Sequence, residues 1–305
     1  MVATVQITDA QLAGTAGSFS RLGFGARGVG MGNAMVAVDV AGIESYYNPA
    51  MPAFADRRTV SATYSFLSLD RRLNFLSYNQ AVPPMAGFSA GVIYAGVRDI
   101  DGRDSDGERT EIYSSSEYQF FFAFSNRFTE RLSIGIGLKL YYNNLFRDAT
   151  TTTVGFDLGA LFRATESITI GAAVKEINAK YRWDTSTLYG QLGNVTSEQF
   201  PVLKQIGVAY RLPDGAGIAS LEVENSSQGG TLIKIGGELK TTEYLTVRAG
   251  LDRIETKKDR DGAKPSVGFT LSREVDGFSP SLSFAYVHEP VSSTGMGLLS
   301  LSFGF

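Results

Sequence analysis

Residues 132–142 read LSIGIGLKLYY. Leu132, Ile134, Ile136, Leu138, Leu140 and Tyr142 share one parity, while Ser133, Gly135, Gly137, Lys139 and Tyr141 share the other. Alternation with a period of two marks a strand with one apolar face. The same texture returns at the end of the chain, where Leu299, Leu301, Phe303 and Phe305 alternate with Ser300, Ser302 and Gly304. It recurs around 154–163, 245–252 and 281–286. A soluble sandwich alternates too, so two further features decide. The polar parity is rich in glycine, which weakens a strand but suits a wall that curves or lies close to something inside. The alternating stretches run for about 9–12 residues, beyond the globular mode of about 5–6 and matched to the about 9–11 of a tilted membrane strand.

Fourteen such stretches follow Thr59, near 59–66, 72–80, 86–96, 116–126, 132–143, 152–163, 168–176, 201–212, 218–225, 231–240, 244–254, 265–273, 280–288 and 296–305. Their connections alternate in character. One set is short (AVPPM, RFTER, ATES, PDGAG, TTE and VDGFS); the other is mostly longer and more polar, notably 97–116, 176–201 and 254–265. Short turns on one rim and longer loops on the other characterise bacterial outer-membrane barrels, and only a closed barrel satisfies every strand hydrogen bond in lipid. An even strand number puts both barrel ends on the periplasmic rim, and the last residue, Phe305, ends an alternating strand. Tyr64, Phe66, Tyr94, Tyr118, Tyr142, Tyr210, Tyr244 and Tyr286 fall near strand ends, as an interfacial girdle requires. The expected fold is all-β: a transmembrane 14-stranded antiparallel β-barrel over residues 58–305.

The composition agrees. The 305 residues are 43% hydrophobic and 19% charged, carry a formal charge of −3 and contain no cysteine. No apolar run reaches the roughly 18 residues of a membrane helix, and there is no basic footprint for nucleic acid. Without cysteine there is no disulfide framework or thiolate metal site. The first basic residue is Arg21, so the N-terminus lacks the basic start of a secretory signal. A barrel needs export to the bacterial outer membrane, so the expectation is a mature chain whose signal peptide is absent.

Residues 14–54 break the pattern. They are dominated by small residues without sustained alternation, as in GARGVGMGNAMVAVDV and YYNPAMPAF. Residues 1–57 are therefore expected to form a compact plug, or hatch, inside the lumen. Ala26-Arg27, Gly30-Met31-Gly32-Asn33-Ala34, Ala37 with Asp39, and Tyr46-Tyr47-Asn48-Pro49-Ala50 together resemble the N-terminal motif of the FadL superfamily of outer-membrane proteins, and by the Arg-x-x-x-Met-Gly spacing its PorV/PorQ branch. The resemblance covers roughly 35 of 305 residues. It implies a plugged 14-stranded barrel. FadL-type members pass hydrophobic compounds; PorV-type members serve type IX secretion by handling signal domains of exported proteins. The plug-motif residues are Arg27, Gly28, Gly30, Gly32, Asn33, Asp39, Tyr47, Asn48 and Pro49. The glycines allow close backbone approach, Asn48 can satisfy nearby backbone and Pro49 fixes the following turn.

On the small-polar parity of the strands lie Lys139, Asp157, Arg163, Lys175, Glu222, Glu224, Lys234, Glu238, Arg248 and Asp252. Mixed charges inside a lumen need partners. They read either as a network clamping the plug to the wall or as a polar lining for a solute. Such a lumen is less greasy than a fatty-acid conduit. Asp99, Asp101, Asp104 and Asp106 crowd one outer loop, a candidate calcium loop or a solvated acidic one. Gly23-Phe-Gly-Ala-Arg-Gly28 matches the dinucleotide fingerprint but lacks the βαβ units that motif needs. His288 is the only histidine, and no nucleophile, base and metal constellation emerges, so no enzyme and no cofactor are expected. Gly87 and Gly91, after Pro83-Pro84, are placed to kink the third strand and open the wall, or simply to curve it.

Three functions follow as expectations. The chain is a non-enzymatic barrel of PorV/PorQ type, partnered with secretion machinery or exported proteins. Alternatively it is a FadL-like passive transporter of hydrophobic or amphipathic small molecules, or a structural barrel of an envelope assembly. In each case the outer partner is membrane lipid.

Overall fold

The computed structural model describes residues 15–39, 44–68, 70–146, 149–255, 262–289 and 295–305. The first 14 residues of the expected plug, residues 40–43 within it, and residues 256–261 of the expected outer loop lie outside the described residues.

The strands are β1 (Thr59–Phe66), β2 (Arg71–Val82), β3 (Ala86–Arg103), β4 (Arg109–Arg127), β5 (Leu132–Phe146), β6 (Ala149–Arg163), β7 (Ile168–Ile177), β8 (Lys180–Asp184), β9 (Val195–Gln199), β10 (Leu203–Arg211), β11 (Gly217–Ser226), β12 (Thr231–Lys240), β13 (Leu245–Glu255), β14 (Lys264–Ser272), β15 (Ser279–Val287) and β16 (Met296–Gly304). All but β8 and β9 close into one 14-stranded antiparallel barrel. β1 pairs with β2 on one side and with β16 on the other, from Thr59↔Gly304 to Phe66↔Gly297, so no edge is left to aggregate. The parity rule holds in three dimensions. Along β5, Ser133 and Lys139 are buried while Leu138 is 44% exposed, and on β16 Phe303 is 49% exposed. These outward residues, with Phe122, Ile136, Phe156, Ile206, Val267 and Leu301, form an apolar exterior. A closed barrel greasy on the outside and polar within is a transmembrane barrel of the bacterial outer membrane.

Two expected outer loops carry more structure than the pattern shows. β3 and β4 run on past the membrane as a two-stranded ribbon from Ile100↔Tyr113 to Arg103↔Arg109, where a loop over 97–116 is expected. Beyond the lipid no greasy face is required, so the periodic signal fades while the strands continue. The expected loop 176–201 contains the β8/β9 hairpin, paired from Lys180↔Gln199 to Asp184↔Val195. The third strand is not opened at Gly87 or Gly91. Its pairing with β2 is unbroken from Val82↔Ala86 to Arg71↔Val97.

Three of the sheet's bulges share a backbone feature, and two of them re-aim the inner face. At each, one residue faces two across the seam, and one of the two is a non-glycine at positive φ: Asp99 (φ 56) between β3 and β4, Glu176 (φ 62) between β6 and β7, and Arg253 (φ 59) between β12 and β13. A bulge lets consecutive side chains turn to the same face. Lys175 and Glu176 are thus both buried.

The segment before β1 holds short helical turns: Ser18–Arg21, α1 (Gly25–Gly30), Glu44–Tyr46 and Met51–Phe54. They pack inside the barrel. Phe24, Met31, Met35, Val36, Tyr46 and Tyr47 share one buried cluster with the wall residues Phe75, Phe121 and Tyr141.

Candidate functional site

The plug fits because the wall gives up its side chains where the plug backbone runs. Inward glycines face one another across three seams: Gly135↔Gly159, Gly171↔Gly207 and Gly236↔Gly250. A methyl group on Gly135 would lie 2.0 Å from the Pro49 carbonyl oxygen, one on Gly171 2.1 Å from that of Val36, and one on Gly250 2.1 Å from the Gly32 nitrogen. The Asn48-Pro49-Ala50 tripeptide occupies the first of these gaps. Asn48 Nδ2 donates to the carbonyls of Val36 (2.9 Å) and Ala160 (3.0 Å), and its Oδ1 accepts from Ala50 N–H at 3.0 Å. Ser133 Oγ donates to the Ala50 carbonyl at 2.8 Å.

Charged contacts gather in four groups. Glu222 Oε2 accepts from the backbone N–H groups of Met35 (3.1 Å) and Val36 (2.9 Å), while Lys234 bridges Glu222 (2.9 Å) and Glu224 (2.7 Å). Asn33 Nδ2 donates to Asp252 at 3.0 Å beside this group. Lys139 bridges Asp157 (2.8 Å) and Glu176 (2.7 Å), and Tyr141 donates to Glu176 at 2.5 Å. Arg27 reaches Glu238 at 2.5 Å, with Arg248 at 3.5 Å on the same carboxylate. Asp39 takes Arg163 at 2.6 Å and Arg211 at 3.1 Å near the periplasmic rim. Lys175 has its nitrogen 4.8 Å from the Tyr46 ring centroid, a cation–π contact. Every lumen residue singled out in the sequence faces inward here, Arg163 being the half-exposed one.

The plug also holds itself. Tyr47 Oη accepts from Phe24 N–H at 2.9 Å and donates to the Phe24 carbonyl (3.1 Å) or to Asn33 Oδ1 (2.9 Å). Burial holds this phenol well above its usual pKa, so it remains a donor. Gly28 lies under that hydroxyl, and Gly30 lies against Arg248.

Open space lies above and below this clamped layer. Toward the outer rim is a vestibule of ≈ 360 Å³, with a floor of Phe19, Leu22, Leu73 and Met296 and charges at Arg71, Glu117, Lys264 and Glu289. Toward the periplasm is a chamber of ≈ 320 Å³ lined by Ser and Thr hydroxyls with Arg27, Arg57, Glu238 and Arg248. Between them the cavities shrink to ≈ 30 Å³ and ≈ 10 Å³. The larger has room for about two waters and is bordered by Gln205 and Asp252, whose Oε1 and Oδ1 lack a protein partner.

The sequence reading missed several of these residues. Glu176 looks like a strand end until the bulge turns it inward. Phe200 and Tyr181 are loop residues by pattern, yet both are buried, with the Phe200 ring meeting Tyr141 and Tyr181 edge-on at 4.8 Å. The β8/β9 hairpin thereby roofs one side of the lumen. The candidate calcium loop does not assemble. Asp101 pairs with Arg109 at 2.9 Å, Asp104 Oδ1 accepts from Asp106 and Glu108 N–H groups, and among the described residues no three His, Cys, Asp or Glu side chains could hold a metal.

Fold and lumen together define a class, the plugged outer-membrane β-barrel. No protein-family model and no curated protein sequence matches the chain. Solved structures of the same architecture do. It is similar to the P. putida toluene transporter TodX, with a TM-score of 0.65 and 14% identity over 92% of this chain and 98% of that one. It is similar also to the Ralstonia pickettii toluene transporter TbuX (TM-score 0.63, 12% identity, 92% and 97%) and to a Pseudomonas aeruginosa FadL homologue (0.61, 13%, 93% and 98%). At such identities the likeness is one of fold, the FadL-type barrel with its N-terminal plug.

Proposed function

We propose that the chain is a passive conduit across the outer membrane for small amphipathic or hydrophobic molecules. The observation that carries this reading is the outer vestibule. An open surface loop would present polar groups to water, whereas here an apolar floor ends on the plug beneath a charged rim. Concave, mostly apolar sites with a few fixed polar groups are where small molecules bind. The toluene transporters share the fold. Accumulation of labelled toluene by cells with and without the chain tests the reading, with Leu73→Arg placed in the vestibule floor. Equal toluene accumulation in all three, together with exclusion of amphipathic solutes by vesicles containing the chain, would refute it.

A second reading, a PorV/PorQ-type partner of a secretion complex, is favoured by the plug motif from Arg27 to Ala50 and by a mid-lumen filled down to water-sized gaps. Purification from native outer membrane decides it: a stable co-purifying envelope protein supports the secretion role, and a solitary barrel removes it.

A further inference from the structure

The vestibule, the ≈ 10 Å³ cavity and the periplasmic chamber form a line down one sector of the wall. The first two share Leu22, Arg253, Lys264, Glu289 and Met296. The small cavity then ends at Val29, Ser266 and Val287. The chamber begins at Arg27, Arg248, Ser283 and Ser300. What separates them is α1, six residues with Gly25, Ala26, Val29 and Gly30 buried against β14, β15 and β16. Two serines tie its backbone to this wall. Ala26 N–H donates to Ser300 Oγ at 2.9 Å, and Ser266 Oγ lies 3.2 Å from the Gly30 carbonyl and from Gly32 N–H. Hydroxyl contacts of this kind exchange with water at little net cost.

The chamber is chemically unlike the vestibule. Among the described residues its lining carries no apolar side chain, and Gly304 is the one uncharged residue there without a hydroxyl. Three arginines, Arg27, Arg57 and Arg248, face two carboxylates, Asp56 and Glu238. Arg248, with 2% of its side chain exposed, has an Nε without a partner. That nitrogen has almost no accessible surface, so an acceptor reaches it only once α1, whose Gly30 lies against the Arg248 side chain, has moved. A hydrocarbon has none to offer, and desolvating these hydroxyls for it would be unfavourable.

We propose that the hydroxyl- and arginine-lined chamber is the inner half of the solute path, reached when α1 leaves the β14–β16 wall, and that it binds small solutes bearing an anionic or acceptor group and releases them into the periplasm. This rests on the uptake reading and sharpens its substrate class. It also places the exit below the plug rather than through the wall, whose third-strand pairing is continuous.

The chain has no cysteine, so an engineered pair is unambiguous. Ala26→Cys with Ser300→Cys links α1 to β16, and Ser283→Phe fills the chamber from the wall. The probe is labelled 4-hydroxybenzenesulfonate, permanently ionised and unable to cross lipid unaided, in phosphatidylcholine vesicles containing the full chain. Expected are uptake by the wild type, a fall of at least tenfold in the oxidised double variant, recovery on reduction, and a similar fall for Ser283→Phe. Undiminished uptake by the oxidised variant, its cross-link verified by mass, overturns the proposal; if no cross-link forms, undiminished uptake by Ser283→Phe does. A wild type that excludes the probe while cells still accumulate toluene overturns this inference alone. Failure of both assays overturns the uptake reading as well.

Discussion

Gly135→Ala and Gly137→Ala add the same methyl group, two residues apart, to the same inner face of β5. At Gly135 the new carbon would lie 2.0 Å from the Pro49 oxygen, 2.3 Å from the Pro49 carbonyl carbon and 2.6 Å from the Ala50 nitrogen. All three are backbone atoms, which cannot rotate away. Ordinary contact is near 3.5 Å, so the plug must retreat by more than about 1 Å. That retreat strains the Ser133–Ala50 bond (2.8 Å) and the Asn48–Ala160 bond (3.0 Å). Overpacking costs about 1–3 kcal/mol and each bond about 0.5–1.5, which gives roughly 2–5 kcal/mol. At Gly137 the nearest atom is the Asp157 Cβ at 3.1 Å, and the next are at 3.7 Å. A shift of a few tenths of an ångström suffices, and the expected cost is below about 1 kcal/mol. Urea unfolding in lipid vesicles, with limited trypsin cleavage after Arg21 and Arg27 as a reporter of the plug, reads both. Equal stability and equal cleavage of the two variants would refute the close docking of Asn48-Pro49-Ala50 on the paired glycines.

Lys234→Met strands Glu222 and Glu224 without their shared cation. Breaking one partner of a buried pair costs about 3–5 kcal/mol, and adding Glu224→Gln should return part of it in thermal unfolding. Tyr47→Phe removes a hydroxyl that serves Phe24 and Asn33, and should lower stability by about 1–3 kcal/mol with trypsin access to Arg27 increased; unchanged cleavage would count against this bond as a plug fastener. Arg163→Ala, by contrast, removes a half-exposed ion pair and should change stability by no more than about 1 kcal/mol. Phe200→Ala removes the ring packed on Tyr141, Tyr181 and Gly17. It should cost about 3–5 kcal/mol while speeding toluene accumulation by unroofing the lumen; slower accumulation by a folded variant would contradict the hairpin's place as a roof.

The strands were legible because lipid imposes one chemistry on one parity. Ile134, Ile136 and Leu138 could face nothing else, and the strands of β5 and β12 lie within a few residues of where alternation places them. The glycine-rich inner parity was legible as close approach to something inside, but not as facing pairs. Pairing across a seam is a matter of register, which one strand's sequence does not carry. Glu176 was illegible for a backbone reason, since its positive φ at a bulge breaks the parity on which the reading depends. Phe121 was hidden by company: in QFFFAF both parities are apolar, so the inward ring among Phe120, Phe121 and Phe122 cannot be told apart by pattern. The serines and threonines of the chamber read only as a small polar face, because a cavity is a property of what the plug leaves unfilled.

That unfilled sector bears on how a plugged barrel can conduct at all. Against β5–β7 and β10–β12 the plug is held by backbone docked on the wall glycines and by hydrogen bonds to a buried carboxylate. Glu222 alone, 1% exposed, caps two plug N–H groups. Displacing the plug there forfeits two hydrogen bonds to a charged group, about 1.5–3 kcal/mol each, so opening in that sector is the rarer event. Against β14–β16 the fastenings are serine hydroxyls, which water can replace. The Arg27–Glu238 pair at the lower end of α1 is partly exposed on the arginine side and is worth less than a buried one. Positive-φ glycines mark the helix ends, Gly23 before it, Gly25 at its first position and Gly32 after it, so its ends can turn where side-chained residues would resist. The softest path through the lumen is therefore the one that joins the vestibule to the chamber, and the mixed charges that argue against a greasy conduit serve to keep the rest of the plug still.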